Sequence, residues 1–197
     1  MLFGQATTTD NANALFQELG LPTDQLSEPL KVLAAADARY LKDVKININN
    51  ALNAESLGKK AAYLLAYAIA VNEKNVLLQT AFEKGAKAQE ATDKELAEVI
   101  SCTSLMNANN VYYRFRHFME DDFYNNTQAG IRMSIMANPV LGKELFELIS
   151  LAVSAVNGCQ MCVTSHEKTL LTHGTDKQRI HDAVRLSAVV KSLAVLV

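Results

Sequence analysis

The chain reads as an all-α protein, and three observations carry that reading. Only three prolines and eight glycines interrupt its 197 residues. Alanine and leucine are abundant, and apolar residues recur at spacings of three and four, the repeat of one helix face. No stretch reads as a convincing strand.

The pattern places helices at about 10–19, 24–40, 56–71, 74–89, 93–108, 109–123, 140–156, 159–172 and 176–195. Asp10 is expected to cap the first of these and Gly20 to end it. Thr23 and Ser56 precede the second and third as N-caps. The helix over 93–108 carries Cys102 in an apolar run between Val99 and Leu105, which reads as a buried core thiol. The next holds Tyr112, Tyr113, Phe115 and Phe118 interleaved with Arg114, Arg116 and His117. Glu120, Asp121 and Asp122 cancel the positive field there, so packing in the core or at a subunit interface is expected rather than nucleic-acid binding. Asn157-Gly158 breaks the chain between the two helices that follow. Gly174 ends the second of them, and Thr175 opens the last.

The sequence also repeats itself. Leu57-Gly58-Lys59 returns as Leu141-Gly142-Lys143, Ala70-Val71-Asn72 as Ala155-Val156-Asn157, Glu83-Lys84 as Glu167-Lys168, and Thr92-Asp93-Lys94 as Thr175-Asp176-Lys177. The order is kept and the shift is 83 to 85 residues. Two internally duplicated helical units are therefore expected within a single domain spanning 1–197. An N-terminal helical extension (1–54) precedes a first repeat (55–137) and a second (138–197). At a shift of 84, Glu147 faces Tyr63, Cys159 faces Asn75, Cys162 faces Leu78 and His166 faces Phe82. One copy thus reads as scaffold and the other as the bearer of chemistry.

Composition excludes several classes. Nearly half the residues are hydrophobic (49%), which argues against disorder. A net charge of −2, with the signs interspersed, offers no field for nucleic acid or an anionic membrane. No membrane span is expected, since the most apolar window, Leu186–Val197, is short and contains Lys191 and Ser192. Met1–Gly20 lacks the cationic start and apolar run of a secretory signal, so a cytoplasmic location is expected. Three cysteines, an odd count, do not suit a secreted disulfide framework.

The chemistry concentrates in Asn157-Gly158-Cys159-Gln160-Met161-Cys162-Val163-Thr164-Ser165-His166. A helix opening beside Cys159 sets Cys159, Cys162 and His166 on one face. Free backbone N–H groups at that helix start favour a thiolate, the nucleophilic form of cysteine. His166 is placed to take and return protons. Glu147 lies eleven residues before Gly158, and His166 eight after it. In an antiparallel hairpin these heights differ by about 4.5 Å, so Glu147 is expected to orient or balance the imidazole, directly or through water. The competing reading is a zinc-binding or other non-redox helical interaction domain using Cys159, Cys162 and His166, with Glu147 or His173 as a fourth ligand. His173 stands two turns beyond His166, too far to share an ion comfortably. A thioredoxin-like domain is excluded by the absence of a βαβ pattern.

Three segments together resemble the alkyl hydroperoxidase D (AhpD) family of the carboxymuconolactone decarboxylase-like superfamily. They are Phe146-Glu147-Leu148, Ala155-Val156-Asn157-Gly158-Cys159-Gln160-Met161-Cys162 and His166-Glu167-Lys168-Thr169-Leu170. Asn109-Asn110-Val111-Tyr112-Tyr113-Arg114, Gly130-Ile131-Arg132-Met133 and Asn138-Pro139 extend the likeness over most of the chain. The resemblance implies an all-helical, duplicated subunit that assembles as a homotrimer. It implies an antioxidant peroxidase that reduces alkyl hydroperoxides, regenerates a partner peroxiredoxin, or does both. Cys162, Cys159, His166 and Glu147 match the family's functional positions. No bound cofactor is implied. Dihydrolipoamide, carried by a lipoyl-bearing component of a 2-oxoacid dehydrogenase complex, is the implied reducing co-substrate. Cys162, nearest His166, is expected to attack the peroxide, and Cys159 to close the disulfide. Met161 departs from family members that place a second histidine between the cysteines. A decarboxylase or other non-redox activity of the superfamily would leave the paired cysteines without a purpose.

Overall fold

The structure, a computed structural model, describes residues 8–119 and 121–197. The first seven residues of the Met1–Gly20 reading, and Glu120, lie outside the described residues. The described residues are all-α. Their helices are α1 (Thr8–Glu18), α2 (Glu28–Ala35), α3 (Tyr40–Leu52), α4 (Lys59–Asn72), α5 (Val76–Ala88), α6 (Asp93–Met119), α7 (Asp122–Asn126), α8 (Lys143–Val156), α9 (Gln160–Thr172) and α10 (Lys177–Leu193).

The centre of the molecule is built on α4 and α8. Both are buried almost all round. In α4 the run Ala61–Ala70 is enclosed except for Tyr63, and in α8 the run Leu148–Ser154 is enclosed throughout. Alanine at Ala61, Ala62, Ala66, Ala68 and Ala70 lets neighbouring helices approach closely around α4. The two central helices touch each other, and α6 and α10 pack against both. α5 folds back on α4, and α9 folds back on α8. α1 and α3 close one side, with Leu15, Phe16, Leu41 and Ile48 fully buried there.

Corresponding helices start 84 residues apart: Lys59 and Lys143, Val76 and Gln160, Asp93 and Lys177. α4 and α8 have 14 residues each, α5 and α9 have 13 each. Gly58 and Gly142 open α4 and α8 with nearly one backbone conformation, φ 71°, ψ 151° and φ 77°, ψ 154°. That combination is essentially reserved for glycine.

Several expected boundaries shift for identifiable reasons. The helix expected over 24–40 is interrupted: Thr23–Gln25 forms a 3-10 turn and α2 begins only at Glu28. Its cap is Ser27, whose hydroxyl accepts from the Leu30 N–H, and Pro29 sits in the first turn, where a missing N–H costs nothing. Asp10 lies inside α1 rather than ahead of it. Ser56 caps no helix and donates to Asp182 Oδ2 at 2.6 Å instead. Thr175 donates to Glu144 Oε1, and the cap of α10 is its neighbour Asp176. The helices expected over 93–108 and 109–123 are one continuous helix to Met119, since no residue between them breaks it. α3 is not among the expected helices; Lys45, Asn47, Asn49 and Asn50 interrupt its apolar stripe Leu41, Val44, Ile48 and Leu52.

Candidate active site

The site is made by the turn from α8 into α9. α8 ends at Val156; Asn157 and Gly158 reverse the chain, and Gly158 takes φ +70°. Cys159 is the extended residue before the helix, and α9 starts at Gln160. Cys162 therefore sits in the first turn of α9, beside backbone N–H groups that have no partner within the helix. Cys159 and Cys162 form a disulfide, with their Cα atoms 5.3 Å apart. On reduction, the partial positive charge of that helix start favours the thiolate.

One turn further along α9, His166 meets α8. Its Nδ1 lies 2.7 Å from Glu147 Oε2, and both side chains are largely buried. This direct contact closes the height difference expected from an ideal hairpin. It also engages one ring nitrogen and leaves Nε2 available for proton transfer.

The two sulfurs differ in access. Cys159 is fully buried, whereas Cys162 keeps 6% of its surface and lines a cavity of about 320 Å³. Asn109, Met133, Met136, Met161 and His166 line the same space, which is mainly apolar. His173 instead borders a separate polar cavity of about 280 Å³ with Lys143 and Glu147. Sulfurs joined in a disulfide offer no thiolate to a metal. Among the described residues, no group of three or more His, Cys, Asp or Glu side chains is placed to hold an ion. Cys102 is fully buried elsewhere, between α6 and α8, 3.4 Å from Ser150 Oγ. Burial pushes its thiol up to about 12 despite that hydrogen bond.

A network of amides holds the turn that presents Cys159. Asn157 Nδ2 donates to Asn110 Oδ1 at 2.9 Å, and Asn110 Nδ2 donates to Ser154 Oγ at 2.8 Å. Asn72 Nδ2 donates to Asn157 Oδ1 at 3.0 Å, and Asn107 Nδ2 to Asn72 Oδ1 at 2.8 Å. Arg114 Nη1 donates to the Asn157 carbonyl at 2.7 Å. Thus α4 and α6 together fix the backbone just ahead of the disulfide.

The carboxymuconolactone decarboxylase family model matches residues 124–196, a segment that contains Glu147, Cys159, Cys162 and His166. Similarity to individual proteins reaches further. The chain is 40% identical to alkyl hydroperoxide reductase AhpD of Rhodopseudomonas palustris (strain BisA53), over 84% of this chain and 91% of that protein. It is 42% identical to the protein of that name from Beijerinckia indica, over 79% of this chain and 86% of the relative. The one from Coxiella burnetii (strain Dugway 5J108-111) is 38% identical over 79% and 89%. The chain belongs to the AhpD family.

Within this AhpD frame, Met161 lines the cavity and is 37% exposed. A thioether there neither donates nor relays a proton. His166 is therefore the imidazole of the cavity wall. Arg116 lies against the Tyr112 and Tyr113 rings, 5.8 Å from each centroid, so part of the aromatic and basic run packs on itself.

Residue-by-residue reading of the sequence did not assign a role to Asn107, Asn109, Asn110, Arg114 or Ser154. A signal was present. Asparagine is disfavoured inside helices because its amide competes for backbone partners. Three asparagines in four residues of α6 therefore point to side chains with work outside the helix.

Proposed function

We propose that this protein reduces organic hydroperoxides through a Cys159–Cys162 dithiol/disulfide cycle. The observation that carries the reading is a redox-capable cysteine pair that opens to a cavity through Cys162 alone, beside His166 held by Glu147. The relatives named alkyl hydroperoxide reductase supply the reaction class.

In the proposed cycle the Cys162 thiolate attacks the terminal oxygen of the hydroperoxide. An S–O bond forms, the O–O bond breaks, and alkoxide leaves. His166 gives that alkoxide its proton, while Glu147 orients the ring and balances its charge. The Cys159 thiol then displaces the oxygen of the Cys162 sulfenic acid as water, which forms the disulfide. An external dithiol returns both thiols by exchange and is itself oxidised to a disulfide. Dihydrolipoamide is the proposed reductant, on the strength of the family resemblance. A peroxiredoxin whose disulfide is reduced by the same pair is the proposed partner. A cycling pair of this kind suits a reducing compartment, in keeping with the cytoplasm. Among the described residues, no helix is long and apolar enough to cross a membrane.

The proposed assembly is a homotrimer. What supports self-association is an exposed apolar stripe on α6, formed by Ile100, Val111, Phe115 and Phe118 and continued by Phe123 of α7. The equal lengths of α4 and α8 and of α5 and α9, with the constant offset of 84 residues, support the proposed duplication. Residues 55–137 then form an inert repeat, 138–197 the reactive one, and 1–54 an extension.

The test is a half-reaction experiment on reduced protein. An organic hydroperoxide should remove two thiols per chain, and dihydrolipoamide should restore both. Thiols that persist in excess hydroperoxide would sink the reading.

A further inference from the structure

The cavity beside Cys162 contains a polar group with nothing to bind. Asn109 is 6% exposed and projects from α6 into the wall that also carries Cys162 and His166. Its Oδ1 is buried and has no hydrogen-bond partner. Its Nδ2 has only the Met133 thioether, a weak acceptor, at 3.3 Å. A buried amide left in this state costs stability, and proteins almost always satisfy such groups. The neighbouring Asn110 shows the contrast, with both ends of its amide paired to Ser154 and Asn157. Three methionines, Met133, Met136 and Met161, line the cavity around Asn109, together with Tyr113 and Ser165.

We propose that Asn109 is the hydrogen-bonding anchor for the peroxide group, and that the three methionines cradle the apolar part of an organic hydroperoxide. The proposal rests on the peroxidase reading and deepens it. A hydroperoxide, R–O–O–H, has one O–H donor and an otherwise apolar body. Asn109 Oδ1, covered in this structure, turns to the cavity and accepts the O–H of the terminal oxygen, which steers that oxygen toward Cys162. When the Cys162 thiolate attacks, the terminal oxygen keeps its hydrogen and becomes the sulfenic acid. The O–O bond breaks with its electron pair on the alkoxide, which His166 protonates. Asn109 thus stays bonded to the same O–H from substrate to sulfenic acid, and it loses its orphaned state only when substrate is present. Methionine suits the cradle because its flexible, polarizable side chain adapts to differently shaped apolar groups.

The experiment measures both half-reactions in stopped flow for wild type, Asn109→Leu and Asn109→Ser, with melting temperatures. Tert-butyl hydroperoxide is the oxidant and dihydrolipoamide the reductant. Leucine matches the size of asparagine and removes the orphaned amide. Asn109→Leu should slow oxidation by roughly two- to tenfold, the scale of one neutral hydrogen bond that positions the reacting oxygen. Reduction of the disulfide should stay within about twofold of wild type, and the melting temperature should hold or rise, since the only bond lost is the weak one to the Met133 thioether. Asn109→Ser, which is smaller and cannot clash, should fall between the two. Oxidation at the wild-type rate in both variants would overturn the anchor and leave the peroxidase reading standing. A drop in both half-reactions together with a lower melting temperature would also overturn it, because Asn109 would then be structural. Wild-type thiols that ignore tert-butyl hydroperoxide would overturn the peroxidase reading, and the anchor with it.

Discussion

Glu147 on α8 and His166 on α9 meet at 2.7 Å, one turn of helix beyond Cys162. A carboxylate in that position can both orient the ring and neutralise it when protonated. Glu147→Gln keeps the shape and loses the charge. Oxidation of the thiols by organic hydroperoxide should slow by about 10- to 100-fold in this variant. Stopped-flow rates at fixed pH would show it, with the circular dichroism spectrum as a check on folding. An unchanged rate would reduce the pair to a structural contact.

Thiol counting should separate the three cysteines. In reduced native protein, a chromogenic disulfide at pH 8 should find two thiols per chain. Cys102 is fully buried with its thiol pushed up to about 12, so it should remain silent until denaturant is added. Its folded pKa lies above that of a free thiol because burial disfavours the thiolate. The stability it contributes is thus fully present below the unfolded pKa and is lost as pH rises toward the folded value. Cys102→Ala should flatten that alkaline loss while leaving a cavity cost at neutral pH. Denaturant midpoints between pH 7 and 10 would reveal the difference.

Asn110→Ala should destabilise the protein by about 1–3 kcal/mol, because Ser154 and Asn157 would lose their buried partner. Equilibrium unfolding in urea measures this. A neutral result would mean that water enters and replaces the amide.

The two site glycines should respond unequally. Nothing lies within 4 Å of a Cβ built on Gly142 or on Gly158, so only backbone conformation is at stake. Gly142 has φ 77° and ψ 154°, a combination essentially closed to other residues. Gly142→Ala should cost about 1–3 kcal/mol. Gly158→Ala should cost about 1 kcal/mol, since Lys74 tolerates a similar φ of 57° in the turn between α4 and α5. Paired unfolding curves would test the order, and a larger loss for Gly158→Ala would reverse the argument.

Local chemistry made much of this molecule legible in sequence. The helical period survived in Lys59–Asn72 and Lys143–Val156 because burial on all sides demanded apolar residues throughout. The spacing of Glu147, Cys159, Cys162 and His166 was readable because a hairpin converts offsets from one turn into heights. α3 escaped because Asn47, Asn49 and Asn50 interrupt a stripe that matters only once α10 packs on it. Asn109 and Asn110 illustrate the same limit inside the site. They are adjacent and chemically identical, yet one is fully paired and the other faces a cavity. That difference is set by which helix lies opposite each side chain, and no sequence window contains it.

The unequal burial of the two sulfurs has a kinetic consequence. Only Cys162 can be approached from outside, so both an incoming oxidant and an incoming reductant must use the same mouth. Cys159 then always serves as the leaving or closing thiol, and the two co-substrates exclude each other. The proposed cycle therefore predicts double-displacement kinetics, with parallel double-reciprocal lines, and inhibition by either co-substrate in excess as it occupies the entrance meant for the other. A single port for both halves of the cycle is thereby written into a difference of exposure between two atoms that are bonded to each other.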